Sequence, residues 1–228
     1  MTRQAFDEYA RNYDEALTQG LAVSGEGREF FARGRVEFLA GCLRARGVVA
    51  DTVLDYGCGT GDTTPLLHQS LAARRAIGID VSAESVAVAR EKHSHPDIRF
   101  LAAREFDAEG DCDVVYCNGI FHHIPPAQRP GALAEIRRAL RPGGHFALWE
   151  NNPWNPGTRY VMSRIPFDRD AITLTPPAAR RMLQAAGFRV LSTDFLFIFP
   201  RALHWLRGLE PPLSRMPFGA QYQVLCQP

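Results

Sequence analysis

Residues 53–61 read Val-Leu-Asp-Tyr-Gly-Cys-Gly-Thr-Gly. The first half of this stretch is a short apolar run, which is typical of a buried strand. The second half places a glycine at every other position, and glycine adopts positive φ angles and lets a ligand approach the backbone closely. A helix that follows such a turn offers unpaired N–H groups to the polar end of a ligand. The stretch therefore predicts a strand, a ligand-binding turn and a helix, in that order.

The middle of the chain repeats this alternation of strand and helix. Helical patterns at 82–92 and 127–140 separate short apolar runs. The predicted strands are 52–56, 76–79, 98–102, 113–117 and 145–149. A β-rich run at 188–199 and a final strand at 220–226 follow, and we expect the final strand to be antiparallel. The pattern predicts an α/β fold, a Rossmann-like, mostly parallel sheet of seven strands with an antiparallel last strand and helices on both faces.

The segments outside this alternation are predicted to cover the sheet. Apolar residues at helical spacing predict an N-terminal helical cap over residues 1–48, and residues 49–228 form the α/β domain. Two insertions interrupt this domain, at 151–175 and 200–219, and the first is predicted as a long covering loop. With the N-terminal cap they are expected to form a lid. A short basic helix around 202–209 is favoured to pack on its own domain, with contact to a membrane surface as the alternative.

The composition excludes several classes of function. The 228 residues carry a net charge of +1, so nothing indicates a basic surface for nucleic acid. The five cysteines form no CxxC pair and no zinc-ligand spacing, which is typical of reduced thiols in a cytoplasmic protein without a metal site. Acidic residues near the start argue against a signal peptide. No apolar run reaches the roughly 20 residues of a membrane span.

Two features around the glycine-rich turn favour one class of ligand. The glycines follow the spacing GxGxG, whereas a dinucleotide-binding turn has GxGxxG. Asp55 lies two residues before Gly57, where a carboxylate opposes a pyrophosphate and attracts the ammonium and sulfonium groups of S-adenosylmethionine (SAM). Asp80 ends the second strand, nineteen residues after Gly61, which is the distance of an acidic residue that binds both ribose hydroxyls. The alternative is that Asp80 only supplies charge to the start of the next helix.

Four segments resemble the successive motifs of class I SAM-dependent methyltransferases of the small-molecule type, similar to quinone-biosynthesis methyltransferases. The segments are Val53–Gly61, Gly78–Ser82, Asp113–Ile124 and Leu140–Gly144. The resemblance covers about residues 50–150 and implies SAM as the cofactor, with S-adenosylhomocysteine as its product. It also implies a leading helix whose Tyr13 helps to close over SAM. The expected cofactor contacts in these motifs are Asp55, Tyr56, Gly57, Gly59, Gly61, Asp80 and Val81.

One motif departs from the family pattern. The family commonly has Gly-Asp-Ala after the third strand, with the aspartate near the adenine amine, whereas this chain has Ala102-Ala103-Arg104-Glu105. Adenine recognition is therefore expected to use the backbone, Arg104 or Glu105. Asn118 ends the fourth strand, and the carboxyl end of a strand faces the ligand crevice in such sheets. Asn118 is therefore a further expected cofactor contact.

The candidate catalytic residues follow the fourth and fifth strands. His122 and His123 come after the fourth strand, and either can act as a general base. The alternative is that one of these histidines only forms a hydrogen bond beneath the site. Glu150 follows the fifth strand, where it can orient an acceptor, take its proton or simply cap a loop.

Together these features predict an enzyme that moves a methyl group from SAM to an oxygen, nitrogen or carbon atom of a small-molecule or lipid-like acceptor. A nicotinamide-dependent Rossmann oxidoreductase and a non-catalytic partner protein with the SAM fold are the alternatives. Nucleic acid is not expected as a partner, because Pro125-Pro126 lacks the setting of the Asp/Asn-Pro-Pro-Tyr/Phe motif. We expect a monomer or homodimer with at most peripheral membrane contact.

Overall fold

The structure is a computed structural model that describes residues 24–107, 110–165 and 171–228. The predicted first helix and its Tyr13 lie outside the described residues. Among the helices of the described part of the chain, none is long and apolar enough to cross a membrane.

The seven predicted strands form one sheet. In spatial order they run β3-β2-β1-β4-β5-β7-β6, and β7 pairs antiparallel with both of its neighbours while the other neighbouring pairs are parallel. The order reverses at β1 and β4, which is where ligands bind in open α/β sheets. The predicted fold class is therefore confirmed. The strands are β1 (Thr52–Tyr56), β2 (Arg75–Asp80), β3 (Ile98–Ala102), β4 (Cys112–Asn118), β5 (Leu140–Asn151), β6 (Arg189–Leu196) and β7 (Gln221–Gln227).

Helices pack against both faces of the sheet and create two apolar cores. Successive strand residues point to opposite faces, so that Val53 belongs to one core and Leu54 to the other. The helices of the described residues are α1 (Arg28–Arg44), α2 (Thr64–Ser70), α3 (Ala83–Lys92), α4 (Arg129–Ala139), α5 (Pro156–Arg164), α6 (Pro176–Ala185) and α7 (Glu210–Leu213). Residues of α1, α2 and α3 lie in the core of Val53, and residues of α4 and α6 lie in the core of Leu54.

The predicted boundary between a cap at 1–48 and the domain at 49–228 falls inside one of these cores. Leu39 and Leu43 of α1 are buried against the same cluster as Val53 of β1. The division into two units remains a prediction, but α1 is anchored to the sheet by its apolar face.

Two insertions differ from the sequence-based expectation. The loop expected over 151–175 contains helix α5, because Asn155 caps it by accepting a hydrogen bond from Thr158 N (3.0 Å) and Pro156 occupies its first turn. The helix expected near 202–209 is a 3₁₀ segment, Arg201–Leu209, in which the Trp205 side chain is 71% exposed. Arg207 of the same segment pairs with Glu26 at 2.9 Å, so the segment contacts its own domain as expected, although Trp205 is exposed. Peripheral membrane contact remains a prediction.

Candidate functional site

A cavity of about 760 Å³ opens at the carboxyl ends of β1, β2 and β4. It is lined by the glycine-rich turn and the strand ends, together with residues of α1, α5 and the segment that follows β6. Its volume lies in the upper part of the ~300–1,000 Å³ range of small-molecule sites. The residues at the strand ends are Asp55, Gly57, Gly59, Asp80, Asn118, His122 and His123.

The three glycines of the turn have positive φ angles of 79°, 54° and 83°. A Cβ atom on Gly57 would lie 2.5 Å from Ile120 Cγ1, and one on Gly61 would lie 2.7 Å from Phe100 Cε1. Gly59 differs, because a Cβ atom there would meet no described atom within 4 Å. Gly57 and Gly61 are thus required by packing, whereas Gly59 leaves open space at the cavity. This space fits a ligand that approaches the backbone of the turn.

Asp55 places a buried carboxylate beneath the turn. Its side chain is 3% exposed and accepts a hydrogen bond from Thr64 Oγ1 at 2.8 Å. Burial raises the pKa of this carboxyl to about 7, and the nearby Asp80 adds to the rise, while the Thr64 hydrogen bond and the charge of Arg35 oppose it. The charged form of this buried carboxyl group is therefore disfavoured in the free protein, and a nearby cation would stabilise it.

Asp80 ties the turn to the end of β2. Its Oδ2 accepts a hydrogen bond from Gly59 N at 2.9 Å, and its Oδ1 accepts one from Ser82 N at 2.8 Å. The Asp80 side chain also lines the cavity. Asp80 therefore shapes the turn, and its role in binding ribose remains a prediction.

Arg35 of α1 is a lining residue that the sequence interpretation missed. Its side chain is buried, its Nε donates to Tyr116 Oη at 3.0 Å and its Nη1 donates to Gln221 Oε1 at 2.8 Å. Both hydrogen-bond partners are neutral, so this cation is well placed for an anionic ligand group. A signal was present, because Arg35 lies four residues after Phe31 and four before Leu39, on the apolar face of the helix.

His122 and Glu150 form a buried pair beside the cavity. Nδ1 of His122 lies 2.6 Å from Glu150 Oε2, and the side chains are 3% and 1% exposed. Phe121 N donates to the other oxygen, Glu150 Oε1, at 2.9 Å. The ring of His123 packs on that of His122 with centroids 4.1 Å apart. The two histidines line the cavity, whereas Glu150 lies outside the lining and contacts His122.

Five of the expected cofactor contacts that the structure describes lie outside the cavity lining, and one of them is Gly61 of the turn. Tyr56 donates its hydroxyl to Glu135 Oε2 of α4 at 2.7 Å, which turns the ring away from the site. Glu105 accepts hydrogen bonds from Ala102 N and Arg90 on the exposed turn after β3. Arg104 on the same turn and Val81 after β2 are also exposed. A role of Arg104 or Glu105 in binding adenine, and contacts of Tyr56 and Val81 with the cofactor, remain predictions.

The chain is similar to known methyltransferases over much of its length. Residues 53–144 match a family model described as a methyltransferase domain. A trans-aconitate 2-methyltransferase of Deinococcus radiodurans is 34% identical over 187 residues, which cover 72% of this chain and 71% of the relative. The chain belongs to the class I SAM-dependent methyltransferases. The cofactor of this family is SAM, which fits the open turn and the two carboxylates.

Other relatives match over a shorter stretch. A trans-aconitate 2-methyltransferase of Azoarcus sp. is 30% identical and covers 51% of this chain and 46% of its own length. An N-demethylindolmycin N-methyltransferase of Streptomyces griseus is also 30% identical and covers 50% of each chain. The chain thus spans about half the length of several curated relatives that it matches.

Solved methyltransferase structures share the fold. The methyltransferase in a complex with the Trm112 activator of Haloferax volcanii has a TM-score of 0.66 at 22% identity, over 100% of this chain and 97% of that chain. The DhpI–S-adenosylhomocysteine complex has a TM-score of 0.61 at 18% identity, over 99% of this chain and 94% of that chain. At these identities the likeness shows the fold alone.

The raised pKa of Asp55 leads to a stability prediction. Between the ordinary value of 3.8 and about 7 the folded protein keeps a proton that the unfolded chain has lost, so Asp55 lowers stability as pH rises through this window. We expect Asp55→Asn to increase the free energy of unfolding at pH 8 by roughly 1–3 kcal/mol, and to change it much less at pH 4. Urea denaturation of the free protein at both pH values measures this. Equal effects of the substitution at the two pH values would contradict the assignment.

Proposed function

We propose that the protein transfers the methyl group of SAM to a nucleophilic oxygen or nitrogen atom of a small molecule, with carbon as a less favoured target. The observation that carries the proposal is the open space at Gly59 between the carboxylates of Asp55 and Asp80. SAM supplies a methyl group on a positively charged sulfur atom, and the protein's main contribution is to orient the reactants. The names of the relatives, trans-aconitate and N-demethylindolmycin methyltransferases, support a small-molecule acceptor.

Opposite charges on the cavity floor match the charges of the cofactor. Asp80 would accept hydrogen bonds from the ribose hydroxyls with its carboxylate oxygens. Asp55 would attract the ammonium group of the methionine part, and the buried Arg35 would attract its carboxylate. The negative and positive groups of an amino acid thus each find an opposite charge. A pyrophosphate would instead face two carboxylates, which disfavours a dinucleotide.

The pair of His122 and Glu150 supports a role in proton removal. When His122 donates its Nδ1–H to Glu150 Oε2, its Nε2 is the basic nitrogen, and the carboxylate stabilises the imidazolium that forms when Nε2 takes a proton. Glu150 is then a positioning residue and His122 the general base. An acceptor that must lose a proton, such as a hydroxyl or an amine, needs such a base. A carboxylate acceptor is already ionised at neutral pH and does not need one.

Cofactor binding tests the first part of the proposal. We expect isothermal titration calorimetry to show binding of SAM and S-adenosylhomocysteine, and the Asp80→Asn variant to bind each at least about tenfold more weakly because the ribose loses a charged acceptor. The exposed Asp111→Asn substitution is the matched control and should bind normally. Folded wild-type protein that binds NADH and not SAM would instead support an oxidoreductase.

The proton-transfer role has its own test. We expect His122→Asn to lower kcat by about 10²–10⁴-fold, and Glu150→Gln to lower it in the same direction, with little change in the affinity for S-adenosylhomocysteine. The fall of kcat toward acidic pH should disappear in His122→Asn, which a merely structural role would not cause. The control is Glu135→Gln, because Glu135 lies on α4 and outside the cavity lining. Unchanged kcat and pH profile in both pair variants would exclude the role.

A further inference from the structure

We propose that the acceptor carries a flat apolar ring, and that Phe30, Phe31 and Phe197 form the surface on which this ring packs. We call these three residues the aromatic wall. This inference rests on the proposed function, since it names the class of molecule that the same cavity methylates. The wall lines the same cavity as the cofactor turn, so that a ring packed on it would share this cavity with the cofactor.

The three rings form one continuous surface that is contributed by two distant parts of the chain. Phe31 and Phe197 meet edge to face with centroids 4.9 Å apart, and Phe30 lies 5.8 Å from Phe197. Phe30 and Phe31 meet at 5.3 Å in the same geometry. Such spacings suit edge and offset contacts between aromatic rings. The neighbouring lining residues are also apolar, namely Val161, Met162, Ile165 and Ile198.

Phe197 is held in a backbone conformation that a bulky residue rarely adopts. Its φ angle is +62°, in the left-handed region. Its carbonyl accepts a hydrogen bond from Ala220 N at 3.2 Å, and a Cβ atom on Gly219 would lie 2.4 Å from Leu196 O. The backbone before and at Phe197 is thus held in place by Gly219 and Ala220, which directly precede β7. Strain of this kind persists where surrounding structure enforces it, often at ligand sites.

Gly34 of α1 leaves the space that the Phe197 ring occupies. A Cβ atom at position 34 would lie 2.7 Å from Phe197 Cε1, so only glycine leaves room for the ring at this point of α1. The space at Gly34 and the left-handed backbone conformation of Phe197 together fix the position of the Phe197 ring in the cavity. That arrangement indicates a specificity-determining residue.

The charges around the wall disfavour a polyanionic acceptor. Arg207 pairs with Glu26 at 2.9 Å and also covers the face of Phe30. Arg28 and Lys92 both pair with Asp62, at 3.3 and 2.5 Å. Among the described lining residues the remaining cation is Arg35, which lies at the floor near Asp55. A tricarboxylate such as trans-aconitate would therefore compete with carboxylates that are already in place, whereas a neutral ring would not.

The test compares two carboxylate probes, one with a flat aromatic ring and one without a ring. With saturating S-adenosylhomocysteine present, calorimetry measures the affinity of the full chain for indole-3-acetate, which has a flat ring, and for trans-aconitate. We expect indole-3-acetate to bind at least about tenfold more tightly. Tighter binding of trans-aconitate, or no binding of indole-3-acetate, overturns the proposal. Absence of S-adenosylhomocysteine binding to folded protein would instead count against the proposed function itself.

Substitutions in the wall make the test specific. Phe197→Gly removes the ring and relaxes the positive φ angle, and we expect it to weaken indole-3-acetate binding about tenfold while S-adenosylhomocysteine affinity stays the same. Phe30→Leu removes a ring from α1 and keeps an apolar side chain. If Phe197→Gly fails to fold, the affinity of Phe30→Leu for indole-3-acetate decides whether the aromatic wall binds the ring. Trp205→Ala is the control, since that exposed aromatic side chain lies outside the cavity lining. Unchanged indole-3-acetate affinity in a folded wall variant contradicts the proposal.

Discussion

A carboxylate buried beneath a glycine-rich turn constrains this site more than any other group. Taking Asp55 out of water costs free energy, and one hydroxyl hydrogen bond from Thr64 does not compensate for it, as the raised pKa of the carboxyl shows. The turn above it bends through three positive φ angles, and Asp80 fastens the turn to the next strand. The free protein thus carries an electrostatic cost that a bound cation would relieve. A site of this kind gains more from the cationic end of SAM than from a neutral or anionic ligand.

The part of the molecule that follows from short sequence patterns could be predicted well. Strands β1 and β3 have the predicted bounds, and α3 lies within the helical pattern predicted at 82–92, because these features depend on residues close together in the chain. Asp55 and Asp80 also follow a fixed spacing from the turn. The helix at Pro156–Arg164 was missed because the prolines were interpreted as a loop, although an asparagine before a proline is a good helix start.

The other half of the site depends on contacts between distant residues. Arg35 meets Tyr116 across 81 residues and Gln221 across 186 residues, and Phe197 is seated by Gly34 on a helix from the start of the described chain. One sequence does not show which residues a fold brings together across such distances. The residues that line the cavity also differ in chemistry according to the elements that contribute them. The strand ends contribute carboxylates to the cavity lining, whereas the covering elements contribute aromatic rings, on which the proposed packing of the acceptor depends.

Asp55 is the proposed partner of a cation on the bound cofactor, and the pKa of its carboxyl group reports on that contact most directly. Carboxyl-carbon NMR of protein labelled at aspartate, with the Asp55→Asn variant to assign the signal, measures this pKa with and without S-adenosylhomocysteine. We expect a pKa near 7 in the free protein and a clear fall when the ligand binds, because its ammonium group favours the ionised carboxylate. A pKa that is unchanged or raised by saturating ligand would contradict the central claim.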